Sequence, residues 1–166
     1  MPDPKKIDDL LTAELYLAEL SRSGADEEGF VILPCLERDG VSWREFHHLR
    51  GKGGMLDDTL GVWQINSILT HSHPMPQPEE LWSISWGDLL NAIARNRFEV
   101  RAVYPFSVYR VRRPKGGWPS YKTAYNAVYN ITEEIGTGKT MRRHFERLLE
   151  RLGHGLKLEI VNHGEV

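Results

Sequence analysis

Residues 68–74 read Ile68-Leu69-Thr70-His71-Ser72-His73-Pro74, and after ten intervening residues the chain reads Ser85-Trp86-Gly87-Asp88. The apolar run Gly61–Thr70 predicts a strand that carries straight into His71. His73–Glu80 is rich in proline and predicts a loop. Ser85 is a natural N-cap for a helix reaching about Arg95, with Leu89, Leu90, Ile93 and Ala94 turned inward. In a strand, side chains two residues apart share a face, so His71 and His73 project together. Asp88, at the start of the helix, adds a carboxylate. Two imidazoles and one carboxylate leave a fourth position open, which is the ligand count of a catalytic zinc centre rather than a structural one.

Working outward, Ile7–Leu20 has the spacing of an amphipathic helix, and Gly24 stands where it would stop. Phe30–Leu36 predicts a buried strand, with Pro34 marking an edge or a bulge. Val41–Leu49 suits either strand or helix. Arg50–Thr59 reads as a glycine-rich loop, free enough to act as a lid. Phe98–Tyr104 and Phe106–Arg112 predict two strands, Tyr121–Glu134 and Thr140–Leu152 two helices, and Leu156–Asn162 a last strand. The class is therefore α/β or α+β, and 166 residues suit one domain.

This order of elements resembles the JAMM (MPN+, JAB) zinc metalloprotease family, whose fingerprint is an upstream Glu, then His-x-His-Pro, then Ser-x-x-Asp. The likeness runs from about residue 7 to residue 113, with residues 121–152 as a helical C-terminal extension. It implies a mixed sheet flanked by helices. It also implies Zn2+ on His71, His73 and Asp88, and Ser85 stabilising the oxyanion of a tetrahedral intermediate. An upstream Glu would move the proton as general base and acid. The implied reaction is hydrolysis of a peptide or isopeptide bond in a protein or peptide substrate, ubiquitin-like conjugates leading. Two departures stand out. The segment Asp26-Glu27-Glu28-Gly29 lacks a literal Glu-x-x-Gly, so Glu27 and Glu28 are both candidates. They should face opposite ways, and Glu27 is preferred. The loop between Pro74 and Ser85 is longer than the family's. Both departures also suit a rival reading, a non-catalytic interaction module on the same fold.

Other features argue less. Residues 1–90 carry 7 Lys/Arg against 16 Asp/Glu, and residues 91–166 carry 14 against 7. The two halves can neutralise each other, or the basic half can meet nucleic acid, a third reading that the basic aromatic stretch Tyr109–Tyr129 also allows. The four-residue recurrence of Tyr121, Tyr125 and Tyr129 is expected to pack on the core. Gly136–Thr140 ends like a phosphate-binding loop, but Glu133 occupies the required glycine position. His47 and His48 are expected on the surface and Cys35 in the interior. One cysteine excludes an internal disulfide, the opening lacks a signal peptide's apolar run, and no stretch reaches membrane-spanning length. A cytoplasmic setting is the expectation.

Overall fold

The computed structural model describes residues 1–52, 55–56, 64–136 and 141–166. Among these, seven strands form one mixed sheet. They are β1 (Glu28–Glu37), β2 (Gly40–Lys52), β3 (Met55–Leu56), β4 (Ile68–Ser72), β5 (Glu99–Val103), β6 (Val108–Arg112) and β7 (Glu159–Val161), in spatial order β3-β2-β1-β4-β5-β6-β7. Only the β4–β5 pair is parallel; the others are antiparallel. Parallel neighbours need a crossover, and helix α2 (Trp86–Ala94) lies on it. Helices α1 (Leu10–Ser23), α3 (Tyr121–Ile135) and α4 (Arg142–Leu152) complete the fold. No helix among the described residues is long and apolar enough to cross a membrane.

Strand alternation builds two cores. Phe30, Ile32, Ile68, Val103 and Val108 meet Ala13, Tyr16, Leu17 and Leu20 of α1 on one face. Val31, Leu69, Val100, Ala102 and Val111 meet α2, α3 and α4 on the other. The expected C-terminal extension thus shares the core of the segment before it: Ala124, Ile131, Phe145, Leu148 and Leu152 are buried there, and β7 closes an edge of the sheet.

Local chemistry sets the ends of α1. Asp9 caps it by accepting from Thr12 N (2.8 Å), and Gly24 terminates it in the left-handed region (φ 72°). Glycine is required at that point twice over, because a Cβ on Gly24 would lie 2.7 Å from the Met75 carbonyl oxygen. Pro34 sits at a shift in the β1–β2 register, between Leu33 and Pro34, as a bulge. Beyond Ile32, β1 has no β4 residue opposite, so at Pro34 it is paired on the β2 side alone, an edge position of the kind that tolerates a proline.

Several expectations change. Val41–Leu49 is strand throughout, and Arg50–Lys52 continues it, with Met55–Leu56 pairing back. The remainder of the expected lid, residues 53–54 and 57–59, lies outside the described residues. The strand expected from Gly61 begins at Ile68, after a turn at Ile65-Asn66; Gly61–Trp63 lie outside the described residues. Gly136 caps α3, and residues 137–140 are likewise outside. Cys35 is exposed, because β1 runs past the end of β4 into a hairpin whose Leu36 is 86% exposed. Tyr121, Tyr125 and Tyr129 point to solvent, about half exposed each, while Ala124 and Ile131 take the inner face. His48 is not a surface residue: its ring is buried against Phe30 and Tyr16, with Nε2 2.6 Å from Glu28 Oε1. His47 is about three-quarters covered.

The acidic and basic halves of the chain meet in a buried ionic network on the α1 face. The Arg101 guanidinium donates to both oxygens of Glu14 (2.9 and 2.8 Å) and to Glu99 (2.7 Å), which also accepts from Arg112 (2.7 Å). Thr70 Oγ1 and the Gly164 N–H donate to the same Glu14 carboxylate. Glu14, Glu99 and Arg101 are fully buried.

Candidate metal centre

The site forms where β4 ends. Thr70 and Ser72 turn toward α1, so His71 and His73 turn toward α2. The chain stays extended past Ser72 because His73 N donates to Val103 O (3.1 Å), prolonging the β4–β5 alignment. Asp88 is the third residue of α2, placed there by a capping box. Ser85 Oγ accepts from Asp88 N, and Asp88 Oδ2 accepts from Ser85 N, each at 3.1 Å.

Three side-chain atoms converge. His71 Nε2 lies 2.9 Å from His73 Nε2 and 3.1 Å from Asp88 Oδ2, and His73 Nε2 lies 3.3 Å from the same oxygen. A tetrahedral ion with ligand bonds of about 2.0–2.1 Å holds its ligand atoms about 3.3 Å apart. Relaxation of a few tenths of an ångström therefore admits such an ion, and the group can hold a metal. Two imidazoles and a carboxylate are a donor set suited to zinc and other borderline divalent ions.

The surroundings fix His73. Its Nδ1 lies 2.8 Å from the Tyr104 hydroxyl, which donates to Ser83 O (3.0 Å) and accepts from Ser83 N (2.9 Å). With its one hydrogen committed, the hydroxyl receives the Nδ1 proton and leaves the Nε2 lone pair facing the centre. Burial raises the Tyr104 pKa, outweighing the opposing Ser83 backbone bond, so the phenol stays protonated. Ser21 Oγ donates to His73 O (2.6 Å), tying the strand end to α1. His71 is fully buried, and the Arg101 backbone carbonyl joins the groups that favour its charged form.

Electrostatics tune the trio. Burial alone would lower the His71 pKa, but the Asp88 carboxylate, with Glu27 adding, raises it on balance. Burial would raise Asp88, yet the charge and hydrogen bonds of His71, then His73, hold it well below the usual carboxylate range. Glu27 is raised, chiefly by burial, against the pull of the two histidines.

Glu27, His73 and Ser85 line one cleft of about 320 Å³ together with Ser83, Leu81 and Trp86. Gly29 pairs with His71 across the β1–β4 ladder, so the same register carries Glu27 opposite His73. Glu28 turns to the other face, where Oε1 accepts from Tyr16 OH (2.8 Å) and meets His48. The two glutamates do part as their adjacency implies, and the structure brings Glu27, not Glu28, to the histidines. The extra loop length is folded rather than slack. The Trp82 indole stacks on Tyr104 (4.9 Å, 13°), and its N–H donates to Gln77 O.

Sequence reading missed Tyr104, although it lies one residue beyond β5, the parallel neighbour of the strand bearing the histidines. Only the strand order reveals it. No family model, curated protein or solved structure matches this chain.

Proposed function

We propose that the chain is a metal-dependent hydrolase of peptide or isopeptide bonds, with zinc as the ion and proteins or peptides as substrates. One observation carries the reading: Glu27 and Ser85 share a cleft with His73, beside the His71–His73–Asp88 trio. When bound there, zinc supplies a Lewis acid and lowers the pKa of water toward neutrality. His71, His73 and Asp88 are the residues that hold it. Glu27 takes a proton from the attacking water and delivers it to the departing amine; its raised pKa suits both directions. The Ser85 hydroxyl, which uses a lone pair in the capping box, keeps its hydrogen to donate to the carbonyl oxygen as negative charge builds.

The experiment is the metal content of the purified protein beside a His71→Ala/His73→Ala double variant. About one zinc per chain, lost in the variant, supports the centre and warrants assays on peptide and isopeptide substrates. No bound metal after zinc is supplied overturns the hydrolase reading and favours an interaction module.

A further inference from the structure

We infer that the cleft beside His73 selects substrates bearing a bulky apolar side chain, aromatic or leucine-like, next to the bond that is cut. This rests on the proposed hydrolase function and narrows its substrate class. The cleft is lined by two unlike sets of side chains. Glu27, His73 and Ser85 are the reacting set, while Leu81, Ile84 and Trp86 are an apolar set.

The apolar set is built before any ligand arrives. Trp86 leans on the buried Phe145 (5.7 Å between ring centroids). Leu81 belongs to a short 3-10 turn, Glu79–Leu81, and its N–H bonds Pro78 O at 2.9 Å. Gln77 is tied by its side-chain amide to Pro74 O (3.1 Å) and by its carbonyl to the Trp82 indole (3.1 Å). A side chain that docks on fixed groups gains burial without an ordering cost to the protein.

Ser83 supplies an independent sign of a ligand. It lines the cleft and is 94% buried, being 6% exposed, yet its hydroxyl has no hydrogen-bond partner. Buried polar groups are almost always satisfied. A peptide lying in the cleft offers backbone N–H and C=O groups at that depth, which an apolar small molecule does not. Side chain on Leu81 and Trp86, backbone on Ser83 and carbonyl toward the trio describe an extended peptide. A tail of glycines gains nothing from the apolar set.

The test uses zinc-loaded full-length protein, its zinc content measured first, and calorimetric titration with the hydroxamates of N-acetylglycine, N-acetylleucine and N-acetylphenylalanine. The leucine and phenylalanine compounds should bind about tenfold tighter than the glycine compound or better. Trp86→Ala, with zinc retained, should narrow that ratio to about two- or threefold. Leu81→Ser, on the rim, serves the same purpose if the tryptophan variant does not fold. Equal affinity across the series with zinc bound overturns the selectivity and leaves the metal centre standing. A protein that takes up no zinc and binds none of the three overturns the proposed function, and this inference with it.

Discussion

The Tyr104 hydroxyl stands 2.8 Å from His73 Nδ1 and bridges it to the Ser83 backbone. A single phenol thus orients a histidine on one strand from the end of the next and pins the loop leading to Ser85. Tyr104→Phe keeps the stacking on Trp82 but removes all three bonds. Zinc affinity should fall about 10–100-fold, and stability by about 1–3 kcal/mol as the Ser83 groups lose their partner. Competition with a chromogenic chelator and thermal melts check the two effects separately.

Glu27 and Glu28 are neighbours with opposite surroundings, which makes them each other's control. Glu27→Gln should retain zinc and lose about 10²–10⁴-fold in hydrolysis. Glu28→Gln, which disturbs Tyr16 and His48 on the far face, should keep hydrolysis within a few-fold and lower the melting temperature. If the rates reverse, the proton-carrying role belongs to Glu28.

In the metal-free protein the His71–Asp88 contact should make stability depend on pH at both ends. Asp88 is held low, so its contribution is present above the unfolded carboxylate value of about 4 and is lost as pH falls through the folded value. His71 is held high, so its contribution is full below the unfolded value of about 6.5 and is lost as pH rises through the folded value. Denaturant midpoints of the metal-free chain should therefore be greatest between those limits. Zinc, which replaces the proton between the ligands, should bind more tightly as pH rises and protect the alkaline side. A midpoint of the metal-free chain that climbs steadily from pH 6.5 to 8 would contradict the sign.

Arg101→Ala strips the charge from between Glu14 and Glu99 and leaves both carboxylates buried. A loss of about 3–5 kcal/mol is expected, read from urea unfolding. Zinc content should not change if the variant folds, because the network lies on the α1 face and the trio on the other.

Much of the centre was legible because its signals are local. Alternation alone puts His71 and His73 on one side, and Ser85 with Asp88 is a capping pattern readable from four residues. Features made by distant pairing were not legible. Glu14 lies inside the helical pattern of residues 7–20, which gives no sign of its burial; only the arrival of Arg101 from β5 explains it. Tyr104 needed the β4–β5 adjacency. The tyrosines of α3 show a different limit. Their four-residue spacing marks a helix stripe without saying which way it faces, and Ala124, Val128, Ile131 and Ile135 form a competing stripe that packs on the core. Cys35 misled because a residue's strand can be buried at one end and reach past its neighbour at the other.

Asp88 Oδ2 both accepts the Ser85 amide and faces the two imidazoles. The first turn of α2 is consequently wired to whatever occupies the space between the histidines. Deuterium exchange at the Ser85 and Asp88 amides becomes a built-in occupancy gauge, readable without a substrate and without an assay. It also means that the crossover between β4 and β5 is fastened beside the two imidazoles, at the end of the strand that carries them.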